Sequence, residues 1–298
     1  MKNLLFIGPG AIGSVLCWHW QPHVKPWVFP HRPDMHLATA LLDADQSQPL
    51  HWQRWPDDRP WQDIDLVVVT TKAHQVMAAV TPLLDHLPQA SWLLCCNGLG
   101  AQQWLAQQAP NRVLWASTTE GVRPMGDGRM QRSGSGLTLL GPASGSALNA
   151  ATQQRAQLLL EPKSPLTLEW RDDLLPTLWL KLAVNAVINP LTAWHGLRNG
   201  ELLDAQWRTE IETLCAEIQT VARACQQILP NDLVERVLAV ATATAHNHSS
   251  MRLDVEAGRH NEIDFINGYL VRQGYEAGVK TPRLALWQQR LSSRQPPS

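Results

Sequence analysis

The chain has 298 residues, of which 44% are hydrophobic and 17% charged, and its formal net charge is −1. This length is comfortable for two domains, and the nearly neutral charge argues against a nucleic-acid partner, which requires a surplus of basic residues. No segment reaches the roughly 18 apolar residues that a membrane span needs, and the apolar run at Leu4–Ile7 is too short for a signal peptide. We therefore expect a globular protein of the cytoplasm without a membrane partner.

Cysteine usage agrees with that compartment. The chain has five cysteines at irregular spacings, and no two of them form a CxxC pair. This pattern predicts reduced thiols, with neither a zinc site nor a disulfide framework.

The first half of the chain alternates short apolar runs with helical patterns. Strands are predicted at Leu4–Ile7, Lys25–Phe29, Leu66–Thr70, Ser91–Cys96 and Val113–Ser117. Helices are predicted between them at about Ile12–Trp20, Ala73–Leu87 and Ala101–Gln108. Because strands and helices alternate, they predict a doubly wound parallel sheet. The Gly- and Ser-rich segment Gly126–Gly145 fits a hairpin-like or loop structure.

Beyond residue 170 the sequence shows no convincing strand. Helices are predicted at Leu174–Ile188, Ala205–Gln227, Asn231–His246, Glu256–Gly274 and Pro282–Leu291. Pro190 is expected to end the first of them, because proline cannot continue the helical hydrogen-bond ladder. The two patterns predict an α/β domain over residues 1–170 and an all-α domain over residues 171–298.

A glycine-rich turn lies between the first predicted strand and the first predicted helix. Its pattern, Gly8-x-Gly10-x-x-Gly13, is the dinucleotide fingerprint of a Rossmann-type sheet. The first glycine permits a tight turn, the second lets the backbone approach the pyrophosphate, and the third lets the helix pack closely. The alternative, an ordinary strand–helix turn, is disfavoured by the position after the first strand. The predicted cofactor contacts here are Gly8, Pro9, Gly10, Ala11, Ile12 and Gly13.

The end of the second strand indicates which dinucleotide binds. NAD enzymes usually place an acidic residue there for the ribose 2′-hydroxyl, whereas this chain has Arg32 and no carboxylate. A guanidinium binds a 2′-phosphate in a bidentate manner, and Lys72 after the third strand adds a second positive charge. Either residue alone is equally compatible with a solvated surface cation. Together they favour NADP(H) over NAD.

One helix of the second half is apolar on nearly every side but carries a polar stripe. Lys181 and Asn185 lie four residues apart and share a face, and Asn189 lies one turn further along. A buried lysine must be paired or functional, and burial makes its ammonium a better proton donor. The alternative is that Lys181 extends outward to solvent from a tilted helix.

A second polar set lies near residues 247–250 and 259–268. Glu262 is suited to steady Lys181 or to bind a substrate hydroxyl, although sequence spacing alone cannot bring the two together. The alternative for this set is helix capping and an exposed acidic turn.

Seven groups of residues, taken in order, resemble one known family. They are Gly8–Gly13, Lys72-Ala73, Asn97–Gly100, Lys181–Asn185 with Asn189–Ala193, Asn199–Leu202, Ser249–Met251 and Glu262–Gly268. The chain resembles the ketopantoate reductase (2-dehydropantoate 2-reductase) family almost from end to end. That resemblance implies reduction of the C2 ketone of ketopantoate to D-pantoate with NADPH, on the route to pantothenate and coenzyme A. It also implies a helical second domain, with the site in the cleft between the domains.

The resemblance also implies roles for individual residues. Lys181 is the expected general acid, and its ammonium stabilises the developing alkoxide. Glu262 is the second expected catalytic residue, at the junction of cofactor and substrate, and Asn97 is expected to contact both. The expected substrate contacts are Asn97, Asn185, Asn189, Asn199, Asn247 and Ser250. Val122 is a further expected cofactor contact, and the neighbouring Glu120, where the family often has small residues, either approaches the nicotinamide or points outward.

Two alternatives to this function stay open. In the first, the chain is an NADPH-dependent reductase of another branched 2-oxo acid. In the second, it is a non-catalytic NADPH-binding regulator. Intact Lys181, Asn185 and Glu262 disfavour the regulator, since a sensor needs no proton donor. A small-molecule substrate is the expected partner, and the chain is expected to be a monomer or a homodimer.

Overall fold

The structure, a computed structural model, describes residues 3–29, 36–56, 60–143, 147–162 and 165–296. The chain divides into two compact units. The first comprises Met1–Cys96 and Ala101–Leu174, and the second comprises Asn97–Gly100 and Leu175–Ser298. The short loop Asn97–Gly100 therefore packs with the second unit although the chain on both sides of it belongs to the first.

The first unit contains all the strands found among the described residues. They are β1 (Asn3–Ile7), β2 (Lys25–Val28), β3 (Ala40–Asp43), β4 (Gln46–Pro49), β5 (Gln53–Arg54), β6 (Leu66–Val69), β7 (Ser91–Leu94), β8 (Val113–Thr118), β9 (Gly121–Pro124), β10 (Arg129–Gly134), β11 (Leu137–Pro142) and β12 (Thr167–Trp170). Its helices are α1 (Ala11–Trp20), α2 (Val76–Leu84), α3 (Ala101–Gln108) and α4 (Ala150–Leu160).

Within the described residues the strands form two sheets. The larger has eight strands in the order β5-β2-β1-β6-β7-β8-β11-β12, and its central strands β1, β6 and β7 are fully buried. All neighbours in it are parallel except β8 and β11, so the predicted parallel sheet is correct for its centre and wrong at that one pair. The smaller sheet, β4-β3-β10-β9, includes the hairpin expected around residue 126.

The second unit is helical throughout the part of it that the structure describes. Its helices are α5 (Leu175–His195), α6 (Arg208–Ala224), α7 (Leu233–Ala243), α8 (Ser250–Glu256), α9 (Ile263–Glu276) and α10 (Pro282–Ser292). Apolar side chains such as Leu182, Ile211 and Leu270 form its buried interior. The predicted fold class, a Rossmann-type α/β sheet followed by an all-α region, is confirmed.

The expectation that Pro190 ends its helix was wrong. Helix α5 continues past it to His195. Pro190 lacks an N–H, so the carbonyl of Ala186 loses its helical donor. The side chain of Asn267 supplies one instead, with Nδ2 at 3.1 Å from that oxygen. The cost of the proline is thereby reduced and the helix is not broken.

The single helix predicted over Glu256–Gly274 was also wrong. Helix α8 ends at Glu256, and Gly258 adopts a positive φ of 62° that favours glycine. Helix α9 begins after Glu262, where the side chain of Asn261 accepts a hydrogen bond from the N–H of Ile263 at 3.0 Å. The break places Glu262 at the start of a helix rather than within one.

A buried histidine in the first unit predicts sensitivity to acid. His19 is fully buried, and its Nδ1 accepts a hydrogen bond from the N–H of Leu166 at 3.3 Å. Burial, with a smaller contribution from His23, lowers the pKa of His19 from 6.5 to about 4. The unfolded chain therefore takes up this proton first as the pH falls from 6.5 to about 4, and the folded state loses stability over that interval.

We expect this loss to reach about 3 kcal/mol, since one pKa unit corresponds to about 1.4 kcal/mol. Denaturant unfolding between pH 7 and pH 4 measures it. His19→Asn keeps the acceptor for Leu166 without the titration and should flatten the dependence. His51→Asn removes an exposed histidine of the same unit and should keep the pH dependence of the wild type. Equal pH dependence in wild type and His19→Asn would contradict the expectation.

Candidate active site

The glycine turn has the geometry that a dinucleotide pyrophosphate requires. Gly8 has a positive φ of 87°, and a Cβ there would lie 2.6 Å from the backbone N of Thr71. A Cβ at Gly13 would lie 2.6 Å from the carbonyl oxygen of Gly8, so α1 could not pack as closely. A Cβ at Gly10 would meet no atom within 4 Å. Close packing thus requires glycine at positions 8 and 13, while the backbone at Gly10 is open to an approaching ligand.

The turn is fixed to the neighbouring strand. Thr70, directly after β6, donates its hydroxyl to the carbonyl of Gly8 at 2.6 Å. Strands β1 and β6 are parallel, with Ile7 beside Val69, so Lys72 follows at the same edge of the sheet as the turn. The residues here fit a dinucleotide phosphate. Sequence reasoning did not single out Thr70, whose role depends on pairing with a strand about sixty residues away.

Arg32 and Val122 are two further predicted cofactor contacts. Arg32 lies outside the described residues. Val122 lies in β9 of the smaller sheet, half-buried, and packs against the hydrophobic core that includes Leu16 and Leu41. Its contact with a cofactor stays a prediction.

Glu120 does not point outward to solvent, because a buried arginine side chain binds it. Arg132 donates to its two carboxylate oxygens, from Nε at 2.7 Å and from Nη2 at 2.9 Å, and Gly136 adds a backbone N–H at 2.9 Å. The Arg132 guanidinium also lies over the ring of Trp18, at 5.7 Å from its centroid. Hydrogen bonding to Glu120 raises the pKa of Arg132. The pair ties the segment that follows β8 to β10.

The polar stripe of the second unit lies on α5. Lys181 and Asn185 are half-buried and Asn189 is buried. The helix around them is apolar, with Leu182 and Val187 at most 2% exposed. Lys181 therefore lies on an apolar helix but is only half-buried, between the buried position and the solvent-directed alternative that the sequence left open.

Glu262 and Asn97 meet although 165 positions separate them in the chain. Glu262 is 4% exposed, and its Oε2 accepts a hydrogen bond from Nδ2 of Asn97 at 3.1 Å. The loop is fixed to α9 by a bond from the N–H of Leu99 to the carbonyl of Phe265 at 2.9 Å. Gly98, with φ of 77°, leaves no room for a side chain against Phe265. The structure thus places two predicted site residues side by side.

Asn199, Asn247 and Ser250 lie near the connection before α8. Asn199 is buried, donates Nδ2 to Thr244 Oγ1 at 2.9 Å and donates its backbone N–H to the carbonyl of Asn247 at 3.0 Å. The Asn247 and Ser250 side chains are exposed. These bonds give Asn199 a role in holding the connection, while substrate contact by any of the three stays a prediction.

Ser249 was not assigned a role of its own from the sequence. It caps α8 by accepting the N–H of Arg252 at 3.2 Å, and its hydroxyl lies 2.7 Å from that of Thr192 on α5. A serine before a helix is a recognisable capping signal. Its bond to Thr192 attaches the start of α8, and hence Ser250, to the helix with the polar stripe.

Two kinds of feature are absent from the parts of the chain that the structure describes. No group of three or more His, Cys, Asp or Glu side chains there could hold a metal ion. No helix in those parts has the length and apolar character to cross a membrane.

Comparisons with known proteins agree along nearly the whole chain. The family model described as "Ketopantoate reductase PanE/ApbA" matches residues 4–145, and that described as "Ketopantoate reductase PanE/ApbA C terminal" matches residues 173–295. The 2-dehydropantoate 2-reductase of Vibrio cholerae is 36% identical over 96% of both chains. The enzyme of that name from Shigella flexneri is 38% identical over 94% of this chain and 91% of its own.

A solved structure of D-mandelate dehydrogenase with NADH shows the same fold. Its TM-score is 0.83, with 21% identity over 99% of this chain and 98% of that one. At this identity the likeness concerns the fold alone. The two family models and the curated relatives, by contrast, extend over both units, and the chain therefore belongs to the ketopantoate reductase PanE/ApbA family.

Proposed function

We propose that this chain catalyses the NADPH-dependent reduction of 2-dehydropantoate (ketopantoate) to D-pantoate. The observation that carries the proposal is the contact of Asn97 with the buried carboxylate of Glu262, in the unit whose helix α5 presents Lys181 and Asn185. These are the residues to which the family resemblance assigns the chemistry. In this proposal residues 1–170 bind NADP(H) and residues 171–298 bind the substrate and supply the acid.

NADPH supplies the hydride for the C2 carbon of the ketone. The chain's own contribution is charge and a proton. The Lys181 ammonium faces the carbonyl oxygen, stabilises the negative charge that develops there, and donates the proton that completes the alcohol. Asn185, Asn189, Asn199, Asn247 and Ser250 are the proposed partners of the substrate's hydroxyl and carboxylate. Glu262, with Asn97 held against it, orients the substrate beside the cofactor.

The proposal is tested by following NADPH oxidation with a panel of 2-oxo acids. Ketopantoate should give the highest kcat/KM, and NADH should support a lower rate. Turnover of another branched 2-oxo acid without turnover of ketopantoate would replace the substrate and keep the reaction. NADPH binding without turnover of any 2-oxo acid would favour the non-catalytic regulator.

The preference for NADPH is proposed to depend on Arg32. Arg32→Ala removes a guanidinium that can bind the 2′-phosphate, a group absent from NADH. We expect the KM for NADPH to rise far more than the KM for NADH. Arg123→Ala, at an exposed arginine of the same unit, should leave both KM values unchanged. Equal increases for the two cofactors in Arg32→Ala would contradict the assignment.

A further inference from the structure

Helix α5 contains a defect that another helix repairs. Pro190 has no N–H, so the carbonyl of Ala186, one turn earlier, lacks the donor that a regular helix provides. Asn267 on α9 donates Nδ2 to that oxygen at 3.1 Å, and its side chain is 0% exposed. A side-chain bond from a distant helix has therefore replaced one backbone bond of α5.

The bond lies where the proposed chemistry is concentrated. Ala186 directly follows Asn185 and lies one to two turns beyond Lys181 on α5. Asn267 lies on α9, the helix that begins after Glu262. The bond therefore connects the helix of the proposed acid to the helix of the proposed carboxylate. Sharp bends in helices commonly occur at proline, so a bond at this turn acts where the direction of α5 is most easily changed.

Of the two polar groups of the Asn267 side chain, only the Nδ2 donor forms a hydrogen bond within the described part of the chain. Its Oδ1 is buried and has no hydrogen-bond partner among the described residues. Burying an amide oxygen without a partner is unfavourable, and a leucine of similar size would avoid that cost. Packing alone therefore does not explain an asparagine here, whereas donation to Ala186 does.

We propose that Asn267 is a positioning residue for the reductase: by replacing the bond that Pro190 removes, it holds Lys181 and Asn185 in the register with Glu262 that catalysis requires. This proposal rests on the proposed function. Asn267 acts through α5 and α9 and is not itself assigned to the reacting atoms. This role explains why the Glu262–Gly268 motif contains a buried polar residue, Asn267, to which the resemblance assigns no function.

The test compares wild type, Asn267→Leu, Pro190→Ala and the double variant. Asn267→Leu should lower kcat by about tenfold to a hundredfold, the scale on which small misplacements act, with a smaller change in the KM for ketopantoate. Pro190→Ala restores an N–H that can reach the Ala186 carbonyl. In that background Asn267→Leu should therefore cost only a few-fold in kcat.

An equal loss of kcat from Asn267→Leu in both backgrounds would overturn the proposal, because the two residues would then act independently. The midpoint of thermal unfolding of the same four proteins measures the coupling without any substrate. A wild type that turns over no 2-oxo acid would contradict the proposed function. Unfolding midpoints that show no coupling between positions 190 and 267 would contradict the role of Asn267.

Discussion

Lys181→Ala is expected to lower the kcat for ketopantoate reduction by about 10²- to 10⁴-fold, the range for loss of a general acid. The KM for NADPH should change little, since the glycine turn proposed to bind the dinucleotide belongs to the other unit. Lys181 lies half-buried on an apolar helix, where one ammonium has a larger effect on developing charge than it would in water. Steady-state kinetics with both substrates varied measure the effect.

Two further variants separate the proton from the charge. Lys181→Arg keeps a positive charge but does not release a proton, because the arginine pKa is too high. Its kcat should therefore also be low, with substrate affinity better preserved than in Lys181→Ala. Lys280→Ala removes an exposed lysine of the same unit and should leave kcat unchanged. An unaltered kcat in Lys181→Ala would exclude Lys181 as the acid.

Glu120→Gln is expected to lower the free energy of unfolding of the first unit by about 3 kcal/mol, because it leaves the buried charge of Arg132 without its main partner. The Glu120 side chain is 0% exposed and that of Arg132 is 8% exposed, so water cannot replace the lost carboxylate. Asp43, at 3.4 Å from Arg132, offers only a longer and more exposed contact. Denaturant unfolding followed by tryptophan fluorescence measures the change.

An exposed ion pair in the β9–β10 hairpin, which also contains Arg132, provides the control for Glu120→Gln. Arg129 and Asp127 form an ion pair in which both side chains are more than 40% exposed. Asp127→Asn should therefore change the free energy of unfolding much less than Glu120→Gln does, as is usual for exposed pairs. Added salt should weaken the contribution of Asp127 more than that of Glu120, because buried charges are screened less. Equal losses from the two variants would show that burial does not determine the strength of the Glu120–Arg132 pair.

The sequence by itself determined those features whose causes are local. The apolar runs at β1, β6 and β7 predicted the centre of the sheet, and the glycines after β1 predicted a tight, closely packed turn. Helix α3 was predicted with its observed bounds, Ala101–Gln108. Each of these depends on side-chain periodicity or on backbone freedom within a few residues, and such properties are present in the chain before it folds.

Tertiary structure decided the features whose causes are distant. Continuation of α5 through Pro190 depends on Asn267, 81 positions away, and the state of Glu120 depends on Arg132 in another strand. The contact of Asn97 with Glu262 joins residues 165 positions apart, and only the folded chain brings them together. A buried polar group needs a partner wherever in the chain that partner lies, so its state is fixed by packing and not by its neighbours in sequence.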